Sequence, residues 1–206
     1  MEMYSRMIAP FLLPNTLDRA LWLDADIIVL KDISDFYYRD FKDKKMIACS
    51  EWCCNMECIL SQKEKLGIAE EHVYFNSGML LLNLEKLRND ISADEILRIT
   101  HSLSDKLVYP DQDVLNYIYQ GAILYENADL YNCQNPRKEV QSDIVILHCV
   151  GKAKPWKLRY MGTFAAKEYW KIRFRQGDVL PAVFAFIAGP LVCLARNIWH
   201  LFGGKL

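Results

Sequence analysis

The chain has 206 residues, 52% of them hydrophobic, enough to bury one domain, or one domain and an appendage. Its 25 basic and 26 acidic residues leave a net charge of −1, which argues against a nucleic-acid binder held by bulk electrostatics. The seven cysteines are odd in number and lack the spacing of a disulfide scaffold. Met1-Glu2-Met3-Tyr4 has neither the basic start nor the apolar core of a secretory leader, so reduced thiols in a cytoplasmic setting are expected. Cys49, Cys53, Cys54 and Cys58 cluster, but no second pair of thiols or histidines stands near them at zinc spacing.

Periodicity predicts a helix up to Leu13, with Tyr4, Met7, Ile8 and Phe11 on one face, Arg6 off that stripe, and Pro14-Asn15 as its end. The run Leu21 to Leu30 reads as a strand buried on both faces, interrupted by Asp24-Ala25-Asp26. Buried unpaired carboxylates are costly, so the acids are expected at the strand end, facing a site. Two residues apart on an extended chain they point the same way, which makes a hard, oxygen-rich cation site; a solvated turn is the plainer alternative.

Ile33, Phe36, Tyr37 and Phe41 suggest a short helix, and Met46 to Cys49 a short strand. Cys53 to Glu70 is polar and without period, and reads as loop with some helix. Val73-Tyr74-Phe75-Asn76-Ser77-Gly78 leads into the buried strand Met79 to Leu84. Gly78 there marks a bend or a close backbone approach, or else a turn between two strands. Glu85 to Arg88 is helical. Ser92 caps the next helix with Glu95 three positions on, and Pro110 starts another, where Asp111 and Asp113 complement the helix dipole. Ala122 to Tyr125 and Asp143 to Gly151 are further strands, the latter ending near His148. Strands alternating with helices place the chain in the α/β class.

From about Lys167 the character changes. Lys167, Lys171, Arg173 and Arg175 interleave with Tyr169, Trp170 and Phe174, and Val179 to Ala195 carries no charge. That run is shorter than the ~20 residues of a membrane span, and Pro181, Gly189 and Pro190 interrupt it. The expectation is an interfacial or re-entrant membrane segment, ahead of a spanning helix or a helix pair packed on the domain.

The strand ends thus offer Asp24, Asp26 and His148 as metal ligands, Lys154 as a cation for phosphate, and Asn76, Asp111 and Gln112 as polar groups for a hydroxyl-rich substrate. Two carboxylates and an imidazole suit a six-coordinate Mn2+. Leu23-Asp24-Ala25-Asp26, Phe75-Asn76-Ser77-Gly78, Asp111-Gln112-Asp113 and His148-Cys149-Val150-Gly151-Lys152-Ala153-Lys154-Pro155-Trp156, in this order and spacing, resemble glycosyltransferase family 8. That family includes glycogenin and the bacterial lipopolysaccharide galactosyl- and glucosyltransferases, the bacterial members being the nearer likeness.

The resemblance runs from Tyr4 to about Trp156. It implies a partial Rossmann-like nucleotide-diphospho-sugar transferase fold of the GT-A type over residues 1–160, followed by a C-terminal helical, membrane-associating extension over residues 161–206. It implies that Asp24, Asp26 and His148 bind Mn2+, that Ala25 between them is a cofactor-binding position, that Gly151 and Lys154 line the diphosphate, and that Arg6 stands near the donor sugar. By the same likeness Asn76, Ser77 and Gly78 face the hexose, Asp111 holds its hydroxyls, and Gln112 lies beside the anomeric carbon. The implied activity is a retaining hexosyl transfer from UDP-glucose or UDP-galactose to a glycan or lipid-linked glycan acceptor, by a cytoplasmic protein peripherally held at the inner face of the membrane. Family members carry a further βαβ region ahead of the Tyr-x-Arg helix that holds uracil and ribose. Met1 falls almost at that helix, so an incomplete nucleoside end is expected, with a non-catalytic interaction module as the alternative function. A metal-dependent phosphoester hydrolase is disfavoured by Asn76-Ser77-Gly78 and Lys154-Pro155-Trp156.

Overall fold

The computed structural model describes residues 4–51, 55–134, 143–152 and 154–201, the last six as backbone only. In chain order the elements are α1 (Ser5–Leu12), β1 (Arg19–Leu23), β2 (Ile27–Val29), α2 (Ser34–Tyr37), β3 (Met46–Ser50), α3 (Met56–Leu66), β4 (Phe75–Asn83) and α4 (Leu84–Asp90). They continue as α5 (Ala93–Ser102), α6 (Pro110–Ile118), β5 (Ile123–Glu126), α7 (Ala128–Tyr131), β6 (Ile146–His148), α8 (Phe164–Arg175) and α9 (Val179–Leu201). The chain divides into two compact units, Met1–Asp24 with Ile33–Tyr131, and Ala25–Asp32 with Asn132–Leu206. This division by packing cuts across the one at residue 160 drawn from the sequence.

The first unit is a mixed four-stranded sheet in the order β1-β4-β3-β5, with helices packed on it. β4 runs antiparallel to both its neighbours, and β5 pairs parallel with β3. The strand buried on both faces is β4, where eight of nine residues are buried, and not the run around Asp24. β1 is only half-buried, because β4 is its one hydrogen-bonded neighbour among the described residues. Met7 of α1, Leu80 and Leu82 of β4, Ile96 of α5 and Leu115 of α6 meet in the main core. Ser92 Oγ accepts from the Glu95 N–H, as expected for that helix start.

Two local readings are corrected. Leu21 to Leu30 is not one strand: β1 stops at Leu23, Ala25 and Asp26 form a turn, and β2 begins at Ile27 in a different sheet. The aperiodic stretch after Cys53 contains α3, started by Asn55, whose side chain accepts from the Glu57 N–H. Its buried positions are Ile59, Gln62, Lys63 and Leu66, a helical spacing in which two of the four are polar. Lys63 Nζ donates to the carbonyls of Glu70 and His72, and Gln62 Nε2 donates to Asp113 Oδ2 at 2.9 Å. A helix whose inner face is partly polar has no apolar period to find. Cys53 and Cys54 lie outside the described residues.

In the second unit β2 and β6 form an antiparallel pair, with Ile27 opposite His148. Ile28, Ile144, Leu147 and Ala165 form its core. The expected interruptions at Gly189 and Pro190 do not break α9, which runs through both. Gly189 instead meets Gly162, which has φ +82° and no room for a side chain: a Cβ there would lie 2.6 Å from the Gly189 carbonyl oxygen. The two glycines let the backbone ahead of α8 touch α9. No helix among the described residues is long and apolar enough to cross a membrane.

Asp113 is fully buried and accepts from Tyr74 Oη (2.5 Å), Gln62 Nε2 (2.9 Å) and the N–H groups of Val108 (2.7 Å) and Tyr109 (2.8 Å). It anchors the start of α6. Asp113→Ala would leave buried donors unpaired at a cost of about 3 kcal/mol. Thermal unfolding is therefore expected roughly 6–12 °C lower in a chain of this size. An unchanged melting temperature would contradict this role.

Candidate functional site

β4 leaves its ladder with β3 where the sequence reads Asn76-Ser77-Gly78. Ser50 pairs with Phe75 and Ala48 with Leu80, two positions of β3 against five of β4. The looped-out backbone is buried, and its polar groups need partners. Side chains one turn apart on α6 supply them. Asn116 accepts from the Phe75 N–H at 2.8 Å and donates to the Phe75 carbonyl at 2.9 Å. Gln112 Oε1 accepts from the Ser77 N–H at 3.0 Å and from Asn76 Nδ2 at 3.2 Å. Asn76 Oδ1 closes the bend by accepting from the Gly78 N–H at 3.0 Å.

Around this bend the first unit brings together most of the expected polar residues. The Gly78 carbonyl accepts from the Asp24 N–H at 2.9 Å, which fixes Asp24 at the end of β1. Arg6, from α1, spans three partners. Its Nη2 lies 2.8 Å from Asp24 Oδ1, and its Nη1 donates to the Ser77 carbonyl at 2.6 Å and to Ser77 Oγ at 2.9 Å. Its Nε is 2.7 Å from Asp111 Oδ2, a charge contact whose N–H is not aligned on the oxygen. Trp22 supports the arrangement twice, donating from Nε1 to Asp24 Oδ1 at 3.0 Å and lying under the guanidinium at 5.4 Å. Burial pushes the Asp111 carboxyl above its usual range, against the opposing pull of Arg6 and Ser77.

Glu51 escaped the sequence reading. It is buried, and its Oε2 accepts from Asn76 Nδ2 at 2.7 Å and Gln112 Nε2 at 3.4 Å. The signal was there: an acid just after the apolar run Met46 to Cys49, the pattern that singled out Asp24. Asn116, Trp22 and Asn132 were missed as well, because single polar or aromatic residues in apolar surroundings carry no pattern.

In the second unit Asp26 meets His148 and Lys154. His148 is buried at the end of β6, with Nδ1 2.9 Å from Asn132 Oδ1 and Nε2 3.3 Å from Asp26 Oδ1. Lys154 Nζ donates to Asp26 Oδ2 and, at 2.7 Å, to the Cys149 carbonyl. Burial alone would raise the Asp26 carboxyl, but the hydrogen bonds from His148 and Lys154 outweigh it and bring it down to about 2. Gly151 has φ +66°, the left-handed turn that lets the chain fold back from β6 toward Lys154. Ala25 is exposed in its turn. Cys149, beside this group, has its thiol pushed up to about 12 by burial, and burial likewise raises Cys49, so neither is an activated nucleophile.

This donor set fits a hard divalent cation. With Nδ1 facing the Asn132 oxygen at 2.9 Å, Nε2 is the ring atom presented to Asp26 Oδ1 at 3.3 Å, and a divalent cation taking the place of the proton between them would find a nitrogen and an oxygen ligand there. Lys154 already places one cation on that carboxylate.

The chain is similar to known proteins. An Escherichia coli K12 lipopolysaccharide 1,2-glucosyltransferase is 31% identical over 193 residues, covering 82% of this chain and 53% of its own. A second from the same strain, the lipopolysaccharide glucosyltransferase WaaO, is 31% identical over 170 residues, covering 74% of this chain and 48% of its own. The chain thus spans about half the length of these curated relatives. Among solved structures, the galactosyltransferase LgtC with donor and acceptor sugar analogues superposes with a TM-score of 0.63 at 26% identity, over 75% of this chain and 60% of that one. The mixed α/β fold matches GT-A-type glycosyltransferases. A family model for glycosyl transferase family 8 matches residues 1–159, and the chain belongs to that family.

Proposed function

We propose that this chain is a Mn2+-dependent retaining hexosyltransferase that moves glucose or galactose from a UDP-sugar to a glycan or lipopolysaccharide-type acceptor at the cytoplasmic face of the membrane. The observation that carries the reading is His148 Nε2 turned on Asp26 while Nδ1 is committed to Asn132. Asp24, Asp26 and His148 would hold the Mn2+, which when bound supplies positive charge to a leaving diphosphate. Lys154 adds a point charge for the same diphosphate, and the Gly151 turn gives it close access to backbone.

The hexose falls to the residues around the β4 bend. Asp111 accepts from donor hydroxyls, and Arg6 keeps Asp111, Ser77 and Asp24 in one fixed array. Asn76, Ser77 and Gly78 present a buried polar edge to the sugar. Gln112 stands beside the anomeric carbon. Its Oε1 already accepts from the Ser77 N–H and from Asn76, so it has little capacity left to attack. This favours departure of UDP on the same face as the incoming acceptor hydroxyl. In that step the bond from C1 to the phosphate oxygen breaks with its electron pair leaving on UDP, the bond from C1 to the acceptor oxygen forms, and the acceptor hydroxyl's proton passes to the departing phosphate oxygen.

The C-terminal helices support a membrane-surface location. Residues 157–178 carry six basic and two acidic residues, and α9 turns large apolar side chains outward. A surface of this kind suits anionic lipid, where each basic residue contributes about 1 kcal/mol.

Four outcomes test the reading. The chain should release UDP from UDP-glucose or UDP-galactose only with Mn2+. In Asp26→Ala, Mn2+-dependent UDP binding should fall by more than ~100-fold, beyond the ~10–100-fold typical of losing an outer partner of a metal ligand. Absence of metal-dependent release with either donor leaves the non-catalytic interaction module. Glu51→Ala should lower kcat about a hundredfold through misplacement of Gln112 and Asn76, with Mn2+–UDP affinity held. Glu51→Gln, which keeps an acceptor oxygen, should lose less; unchanged kcat in Glu51→Ala removes Glu51 from the site. Deleting residues 178–206 should release the chain from phosphatidylcholine–phosphatidylglycerol vesicles in cosedimentation, and unchanged partitioning would reject the membrane role.

A further inference from the structure

α9 is built inside out for a helix in water. Leu180, Phe184, Ile187, Leu191 and Leu194, spaced four and three apart, share one face and are between 58% and 83% exposed. The residues turned inward are small: Ala182 and Ala185 are buried, and Gly189 lies against Gly162. Small residues opposite α8 leave space. A cavity of about 250 Å³ opens between the two helices, lined by Ala166, Lys167, Trp170, Phe186, Pro190 and Cys193 among others. Its wall is mostly apolar, and its volume is just below the usual range of ligand pockets.

Two of the lining residues, Trp170 and Lys167, carry polar groups. Trp170 Nε1 is buried and has no hydrogen-bond partner among the described residues. A buried indole N–H normally finds one. Lys167 is exposed and makes no ion pair among the described residues. The two acids of this segment are already matched, Glu168 to Lys171 and Asp178 to Arg173. Lys157, Arg159, Lys167 and Arg175 are left without an acidic partner among the described residues.

We propose that this cavity seats one acyl chain of an anionic membrane phospholipid, with the lipid's phosphate on Lys167 and an ester or phosphate oxygen accepting from Trp170 Nε1. The occupant must be apolar over most of its length, must carry an acceptor for the indole N–H, and must be negative at the mouth. An acyl chain ending in an anionic headgroup has all three features, and the exposed face of α9 supplies the surface on which such a lipid is met. The proposal rests on the membrane reading above and adds to it a defined, saturable site.

The test separates the two. Decyl phosphate, kept below its micelle threshold, should bind the full chain one to one by calorimetry. Decanol and inorganic phosphate should each bind far more weakly. Trp170→Phe keeps the ring and removes the donor, and should weaken decyl phosphate about fivefold, the equivalent of one hydrogen bond. Lys167→Glu should weaken it by about tenfold or more, as expected for reversing a charge that faces an anion. Ile187→Glu with Leu191→Glu, on the outward face, should abolish vesicle cosedimentation while leaving decyl phosphate binding intact. Non-saturable binding, or equal binding by wild type, Trp170→Phe and Lys167→Glu, overturns the pocket assignment. If vesicle binding persists in that case, the membrane reading stands without it. Saturable decyl phosphate binding with no vesicle binding upholds the pocket and overturns the membrane reading.

Discussion

The polar residues of the first unit depend on one constraint: β4 departs from its ladder with β3 inside the protein. Each backbone group freed there would cost about 1–3 kcal/mol if left unpaired. Gln112 and Asn116, one turn apart on α6, take up those groups on Phe75 and Ser77. The start of α6 must be fixed for them to do so, and buried Asp113 fixes it by accepting from the backbone of Val108 and Tyr109. The residues assigned to the sugar are therefore consequences of one packing solution. Asn76 and Ser77 are presented because β4 loops out, Gln112 because it braces the loop, and Glu51 because it orients the amides of both Asn76 and Gln112.

Charge follows the same logic. Asp24 stands where β1 ends against Gly78, and Asp111 lies in the first turn of α6. Two carboxylates this close in a half-buried setting repel, and Arg6 answers both with one planar guanidinium. In the second unit, Asp26 ends the turn into β2 and faces the last residue of β6, so a two-stranded pairing of only three residues per strand is enough to set His148 against it. Each carboxylate of Asp24-Ala25-Asp26 thus belongs to its own sheet: Asp24 closes the pairing of β1 with β4, and Asp26 precedes that of β2 with β6.

Much of this was legible in the sequence because the site sits at strand ends, where acids and amides interrupt apolar runs. Asp24, Asp26, Asn76, His148 and the Pro110 helix start all stand out in that way. What was not legible followed from burial of polar groups. α3 hid because Gln62 and Lys63 occupy inward positions. Glu51 hid because one acid after four apolar residues reads as a strand end and no more. The run Leu21 to Leu30 looked like one buried strand because apolar content does not reveal a change of sheet, and the strand that is fully buried is β4. Gly189 and Pro190 looked like breaks because the sequence does not show that Gly189 is a contact point for Gly162.

Asp24, Asp26 and His148 are proposed as the ligands of a metal ion that meets a nucleoside diphosphate. Electron paramagnetic resonance of Mn2+ titrated into the protein with UDP tests that assignment most directly. One protein-bound Mn2+ per chain is expected, with a nitrogen coupling that disappears in His148→Ala. Bound Mn2+ without nitrogen coupling, or a coupling that survives His148→Ala, would contradict it.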